Sequence, residues 1–388
     1  MHLARTRAST TTDLRRTVGE VLDRRLLPAG ARPLAVALSG GGDSLALLLA
    51  ATDWAKSACR SLLVLTVDHG LQAESAQWTQ ACAATAKRLG HDFRALAWVG
   101  DKPATGLPAA ARAARHALLA GAAREAGARV ILMGHTADDG LEARLMRAEG
   151  STTPEAREWS PSPAWPQGRG LFLLRPLVSL RRAEIRDWLT ARGEAWIDDP
   201  ANEDATYARP RARQRLARGA AVSEAQPPPS AKALALACDL DAEGGLDVPR
   251  AALRGAVPDA LTRFVSAACL CAAGTTRPPA RERTERLAAR LIETSTFVAT
   301  LAGARIEAGR DRVRFRREAG ETARGGLASL SLRAGETAVW DGRFEVTAER
   351  DGEVRAAPRS TAPDAPSARA LTLERLLAAC GAIEREPA

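Results

Sequence analysis

A glycine-rich turn constrains this chain's fold more than any other stretch: Leu38-Ser39-Gly40-Gly41-Gly42-Asp43-Ser44. It follows the apolar run Leu34–Leu38 and opens onto Ser44–Thr52, an apolar segment of good helix formers. A strand, a tight turn and a helix are therefore predicted in that order. Glycines let backbone N–H groups approach an anion with no Cβ in the way. The helix adds its N-terminal amides and the positive end of its dipole. The hydroxyls of Ser39 and Ser44 add donors, and such a nest suits a diphosphate. The turn lacks the Gly-Lys-Ser/Thr of a Walker A loop, and Asp43 stands where the lysine would be. A carboxylate beside phosphates needs a bridging cation, so Asp43 implies Mg2+.

The alternation continues down the chain. Strands are predicted at Leu62–Val67, Phe93–Val99 and Val130–Met133, and helices at Ser75–Leu89, Pro108–Ala126 and Asp138–Ala148. Strands separated by helices of this length indicate βαβ units, hence an α/β fold with a parallel sheet. Ligands in such sheets sit beyond the C-terminal strand ends. The motifs at 39–44, 68–70 and 134–139 all fall at that edge.

Asp68 and His69 end the second strand, where either a ligand contact or a polar turn is open to them. Gly134-His135-Thr136-Ala137-Asp138-Asp139-Gly140-Leu141-Glu142 follows a strand and enters a helix. Asp139 and Glu142 are three apart and share a helix face. Two neighbouring carboxylates repel unless a cation joins them, which suits Mg2+ or an ammonium group. An acidic first turn is also favoured by the helix dipole alone. Arg112 and Arg115 share a face of another predicted helix and suit a phosphate clamp or a solvated face. A last cluster runs Arg175-Pro176-Leu177, then Trp196-Ile197-Asp198-Asp199-Pro200-Ala201-Asn202-Glu203-Asp204, and ends Tyr207-Ala208-Arg209-Pro210-Arg211-Ala212-Arg213.

Lys plus Arg is 55 against 46 Asp plus Glu, a formal charge of +9 that favours polyanionic partners such as nucleic acid. Only Lys56, Lys87, Lys102 and Lys232 are lysine, so a bias toward arginine explains part of this excess. The six cysteines form no C-x-x-C pair, which argues against zinc and iron–sulfur spacing and fits buried thiols in a reducing cytoplasm. No apolar run approaches the ~18 residues of a membrane helix. The start, with Arg5, Arg7, Arg15 and Arg16 and no apolar stretch, reads as a disordered lead-in rather than a secretory signal. The residues specify no oligomeric state.

Three regions follow from composition: a domain over 1–218, a mostly helical one over 231–318, and a small β-rich module over 325–388. Residues 151–170, with Pro154, Pro161, Pro163 and Pro166, read as a long loop or lid. Pro227, Pro228 and Pro229 mark a linker.

The S-G-G-x-D-S turn resembles that of the PP-loop ATP pyrophosphatase superfamily. With V-D-H-G at 67–70, A-R-x-x-R at 111–115, G-H-x-x-D-D-x-x-E at 134–142, R-P-L at 175–177, D-P-x-N-x-D at 199–204 and Y-x-R-x-x-x-R at 207–213, the chain is similar to the tRNA(Ile)-lysidine synthetase family. His116, Ala143 and Pro210 depart from that family's Tyr, Thr and Asn. Thr300–Gly303 through Arg317-Glu318 and Trp340–Phe344 also resemble its later segments. The resemblance implies ATP-dependent attachment of L-lysine to the wobble cytidine of tRNA(Ile) with anticodon CAU. ATP would adenylate the C2 oxygen, and the lysine ε-amine would displace AMP. It implies ATP and pyrophosphate at Ser39–Ser44, adenine near Asp68, His69, Gly134 and His135, and Mg2+ at Asp43 and Asp139. Lysine or tRNA would meet Asp138, Asp139, Glu142, Arg175, Arg209 and Arg213, with Arg112 and Arg115 assisting the chemistry. A cytidine 2-thiolation enzyme, an NAD-type amide synthetase and a non-catalytic ATP-sensing RNA-binding protein are the rival readings.

Overall fold

The computed structural model describes residues 13–27, 32–151, 153, 155–198, 208–222, 230–320, 327–358 and 360–387. The expected disordered lead-in thus lies mostly outside the described residues, as do the Pro227–Pro229 linker and the acidic run from Asp199 to Tyr207. Two compact units are formed: Met1–Ala225 with Arg385–Ala388, and Gln226–Glu384.

In the first unit the elements run α1 (Leu14–Arg25), β1 (Leu34–Ala37), α2 (Gly42–Ser57), β2 (Leu62–Asp68), α3 (Ser75–Leu89), β3 (Asp92–Ala97), α4 (Leu107–Glu125), β4 (Val130–Leu132), α5 (Ala137–Ala148), β5 (Trp159–Pro161), β6 (Phe172–Leu174), α6 (Arg182–Thr190) and α7 (Ala208–Ala217). The sheet order is β3-β2-β1-β4-β6-β5. All neighbours are parallel except β5, which runs antiparallel to β6. The central strands β1, β2, β4 and β6 are apolar on both faces because helices cover both, while the edge strand β3 is largely exposed. Leu34, Val36, Leu62, Val64, Val130, Leu132 and Leu174 turn toward α1, α2 and α6. Ala35, Leu63, Leu65, Ile131 and Leu173 turn toward Leu119, Ala120 and Ala123 of α4. The loop expected at 151–170 contributes β5, whose Trp159 stacks on Phe172 with ring centres 4.7 Å apart. Three residues are too few for a readable period. The C-terminal segment belongs to this unit through Glu386, which pairs with the buried Arg60 at 2.9 Å.

The second unit begins with α8 (Lys232–Leu236), β7 (Asp239–Leu240), β8 (Leu246–Pro249), α9 (Arg250–Arg254), α10 (Pro258–Ala273) and α11 (Arg281–Leu291). Then come β9 (Phe297–Leu301), β10 (Ala304–Ala308) and β11 (Arg312–Arg317). Residues 231–300, expected mostly helical, therefore also supply β7, β8 and β9 to a five-stranded sheet of order β7-β8-β11-β10-β9. The Asp241 carboxylate closes the β7–β8 turn by accepting from the N–H groups of Glu243 and Gly245. Such short strands carry little period of their own and gain their place by pairing. Beyond residue 327 a three-stranded and a two-stranded antiparallel sheet follow. They enclose Trp340, Phe344 and Val346, where the sequence predicted strands.

All six cysteines are free thiols, and only Cys59 is exposed. Among the described residues no helix is long and apolar enough to cross a membrane.

Candidate active site

The order of strands in the sheet reverses at β1, which has β2 on one side and β4 on the other. The crevice at the C-terminal ends of β1 and β4 is where an open parallel sheet leaves room for a ligand. The glycine turn leaves β1 there, and Gly134-His135-Thr136 leaves β4 beside it. The two segments touch. A Cβ on Gly134 would lie 2.9 Å from backbone atoms of Asp43 and Ser44, closer than a real side chain tolerates. Gly134 thus lets the second motif lie against the first.

Gly40 has φ of +83°, and a Cβ there would come 2.5 Å from Ile197 Cδ1. Ile197 N–H donates to the Gly40 carbonyl at 3.0 Å, so the Trp196-Ile197 segment backs the turn. Ser44 Oγ donates to the Gly41 carbonyl and accepts from Ser39 N–H, while the two serine hydroxyls meet at 3.1 Å. The turn is thereby held with α2 starting at Gly42.

Three carboxylates meet at this crevice. Asp43 comes from the first turn of α2, and Asp139 and Glu142 from α5. The predicted shared face of Asp139 and Glu142 is present, but the cations on it come from the chain itself. Arg182, the first residue of α6, reaches Asp43 at 3.1 Å, Glu142 at 3.2 Å and Asp139 at 3.7 Å. Arg209 reaches Asp139 at 3.2 Å and Glu142 at 3.0 Å, and Arg213 reaches Glu142 at 2.7 Å. Glu142's side chain is 1 % exposed and Asp139's 10 %. Asp139 Oδ2 also accepts from Thr136 N–H and Oγ1, closing a capping box. Burial works against ionisation of Asp139, yet Arg209, His135 and the Thr136 N–H together hold its pKa below the usual value. For Asp43, burial outweighs Arg182 and the pKa is raised. Asp138 turns elsewhere: it binds Arg181 at 2.8 Å and the Arg182 N–H at 2.7 Å, tying α5 to α6.

A second set of cations borders the first. Arg112 and Arg115 on α4, Arg175 after β6 and His135 after β4 lie close enough to perturb one another. Burial and their mutual repulsion lower Arg115 and Arg175 to about 10. Arg115 Nε, Arg175 Nε and His135 Nδ1 are shielded from solvent with no hydrogen-bond partner. Among the described residues no carboxylate forms an ion pair with Arg112, Arg115 or Arg175. Arg175 Nη1 donates to the Arg157 carbonyl and to Ser160 Oγ, and a group of shielded cations with no counter-charge suits an anion. His69 sits at the same edge, edge-on to Trp98 with ring centres 6.0 Å apart, and burial lowers its pKa. Asp68 accepts from the Gly70 N–H at 2.8 Å and so makes the polar turn.

His116 lies beneath this cluster, and its pKa is pushed down to about 3 by burial first and Arg115 second. It stays neutral when folded and protonates near 6.5 when unfolded, so stability is present above about pH 6.5 and falls as pH falls. Between pH 7 and pH 5 this group alone should remove about 2 kcal/mol. Thermal melts of His116→Tyr should show a smaller loss over that range, and an unchanged pH slope would refute this role.

Arg182 is the residue of this crevice that the motifs did not mark. A signal was present, since Arg181-Arg182 opens a helix whose N-terminal dipole disfavours cations. Something else must hold the pair there, and it is the carboxylates. For a metal, no group of three or more His, Cys, Asp or Glu side chains among the described residues is arranged to hold an ion by itself, and the three carboxylates here are bridged by arginines. Mg2+ commonly takes one or two carboxylates and completes its shell with phosphates and water, so Asp43 beside the phosphate nest fits such a partial site.

A PP-loop domain model matches residues 10–220. The tRNA(Ile)-lysidine synthase of Caulobacter vibrioides is 53% identical over 331 residues, covering 85% of this chain and 78% of that protein. The tRNA(Ile)-lysidine synthase of Hyphomonas neptunium is 35% identical over 77% of this chain and 85% of its own length. That of Brucella ovis is 36% identical over 81% and 74%.

Proposed function

The chain belongs to the tRNA(Ile)-lysidine synthase family of PP-loop proteins, and from this premise we propose how its residues divide the work. It is an ATP-dependent ligase that joins lysine to tRNA(Ile). The observation that supports our assignment of roles is the contact of Gly134 with the Asp43–Ser44 backbone, which sets the carboxylate cluster beside the phosphate turn.

ATP's β- and γ-phosphates lie on the Ser39–Ser44 turn and the N-terminus of α2, with adenine toward Asp68, His69, Gly134 and His135. Asp43 would hold Mg2+ beside this turn, and the ion would supply positive charge to offset that on the departing pyrophosphate. Asp139, whose charge acts on Asp43, would be the second candidate for the ion, although its oxygens already serve Thr136 and Arg209. The wobble cytidine of the CAU anticodon, unpaired in its loop, is splayed into the crevice. Its C2 oxygen takes AMP, which turns a poor leaving oxygen into a good one. The lysine amine, oriented by Asp139 and Glu142, attacks C2 as AMP departs, and a carboxylate accepts its proton. Arg112, Arg115 and Arg175 provide the buried positive field for the phosphoryl oxygens or the RNA backbone. Arg209 and Arg213 pass between the carboxylates and the RNA.

We assign the tRNA body to the second unit. A groove of about 510 Å3 there is lined by Arg283, Arg286 and Arg290 of α11 and the edge strand β9. Three arginines on one rim suit a phosphodiester backbone, and such contacts weaken steeply with salt.

The test is ATP-dependent incorporation of radiolabelled lysine into a tRNA(Ile) transcript with anticodon CAU. Product formation is expected, with the Arg283, Arg286 and Arg290 triple glutamine variant binding the transcript more weakly and with a shallower salt slope. Sulfur transfer without lysine would instead identify a thiolation enzyme.

A further inference from the structure

Among the described residues Arg182 is the one guanidinium that touches all three carboxylates of the crevice, bridging Asp43 on the phosphate turn to Asp139 and Glu142 on α5. Its side chain is 21 % exposed, and its contacts are spread over all three of its nitrogens. Burial opposes its charge, but the three acids more than offset that and hold it firmly protonated. A fixed cation at this point has a consequence for charge balance. Three carboxylates face the guanidiniums of Arg182, Arg209 and Arg213, so the cluster is already neutral. Arg112, Arg115 and Arg175 add positive charge beside it with no ion-pair partner among the described residues. An amine entering such a site as an ammonium ion meets a net positive field, which disfavours it. A nucleotide polyanion meets the same field as an attraction.

We propose that Arg182 is a positioning residue that couples the two substrate sites: nucleotide phosphates draw it away from Asp139 and Glu142, and only then do those acids accept the lysine ammonium. The proposal rests on the functional reading above and adds an order of binding to it, polyanion first and amine second. Arg182 is suited to this transfer because it is the first residue of α6. It lies beside Asp43, so a small change of side-chain torsions exchanges a carboxylate partner for a phosphate one. Arg209 and Arg213 do not reach Asp43 and cannot sense the turn in this way. The device also prevents futile chemistry, since the amine site is completed only when an activated oxygen can be formed.

The experiment is calorimetric titration of L-lysine into the full chain, alone and after saturation with Mg2+ and an ATP analogue carrying a methylene bridge between the α- and β-phosphates. In the wild type the analogue should strengthen lysine binding about ten-fold or more, within the usual range of coupling between sites. In Arg182→Gln the two affinities should agree within about three-fold, chiefly because lysine binds more tightly to the nucleotide-free protein. Arg182→Lys keeps the charge but cannot span three carboxylates. It should melt close to the wild type and still lose most of the coupling, so the test survives if the glutamine variant folds poorly. Equal lysine affinity with and without the analogue in the wild type would overturn the proposal, as would undiminished coupling in both variants. Lysine binding in neither state would defeat the functional reading itself.

Discussion

Asp43→Ala should reduce tRNA-dependent ATP–pyrophosphate exchange by about a thousand-fold or more while the protein remains folded. The expected size is that of removing an electrostatic group aimed at developing charge, about 100- to 1,000-fold for one hydrogen-bond donor, and larger for a metal ligand. The fold should tolerate the change because Asp43 gives little to it. Burial raises its pKa, so the folded state already resists its charge. Its one strong partner, Arg182, keeps Asp139 and Glu142 when Asp43 is lost. Melting temperature should therefore move by only a few degrees. Asp43→Asn keeps the shape and removes the charge, and it should lose exchange to a similar extent if the carboxylate acts through a cation. Near wild-type pyrophosphate release in both variants would remove Asp43 from the chemistry and the turn from its assigned role.

The parallel sheet was legible because its strands and helices are long or strongly apolar and because glycine turns punctuate them. Leu34–Leu38, Leu62–Val67 and Val130–Met133 lie within a residue or two of β1, β2 and β4 and their exits. The placement of motifs at one edge was legible for a topological reason: in a parallel sheet every strand exit is at the same edge. What escaped notice depends on contacts between distant residues. Arg182 lies 139 positions from Asp43, and no local pattern announces that pairing. The second unit's sheet was hidden for a different reason. Asp239–Leu240 and Leu246–Pro249 are too short to show a period, and β8 gains its place by pairing with β7 and with β11, far along the chain. The family resemblance sets Arg209 and Arg213 against lysine or tRNA. Their present partners are carboxylates, a contact that a basic run cannot disclose by itself.

Glu142→Gln should weaken lysine use by about one to two orders of magnitude and also lower stability, and the two effects separate experimentally. The functional loss follows from removing one of two charges available to an ammonium, each charge-assisted contact contributing roughly 1.5–3 kcal/mol. The structural loss follows from Glu142's place as the hub for Arg182, Arg209 and Arg213, at 3.2, 3.0 and 2.7 Å. A glutamine presents N–H donors where a guanidinium expects an acceptor, and it leaves those cations short of a counter-charge. Breaking a buried pair costs about 3–5 kcal/mol, but these guanidiniums are 21–35 % exposed and can rehydrate, so the cost should fall at or below the low end. Because Arg209 and Arg213 both lie on α7, its docking on α5 should loosen first, and amide exchange over Ala208–Ala217 should quicken. ATP affinity should change much less, since the Ser39–Ser44 turn makes no hydrogen bond to Glu142. Lysine saturation curves taken well below the melting temperature isolate the functional part. If those curves match the wild type while the melting temperature falls, Glu142 organises arginines only and the amine is bound elsewhere. If both change while nucleotide binding holds, Glu142 serves the lysine and the architecture together.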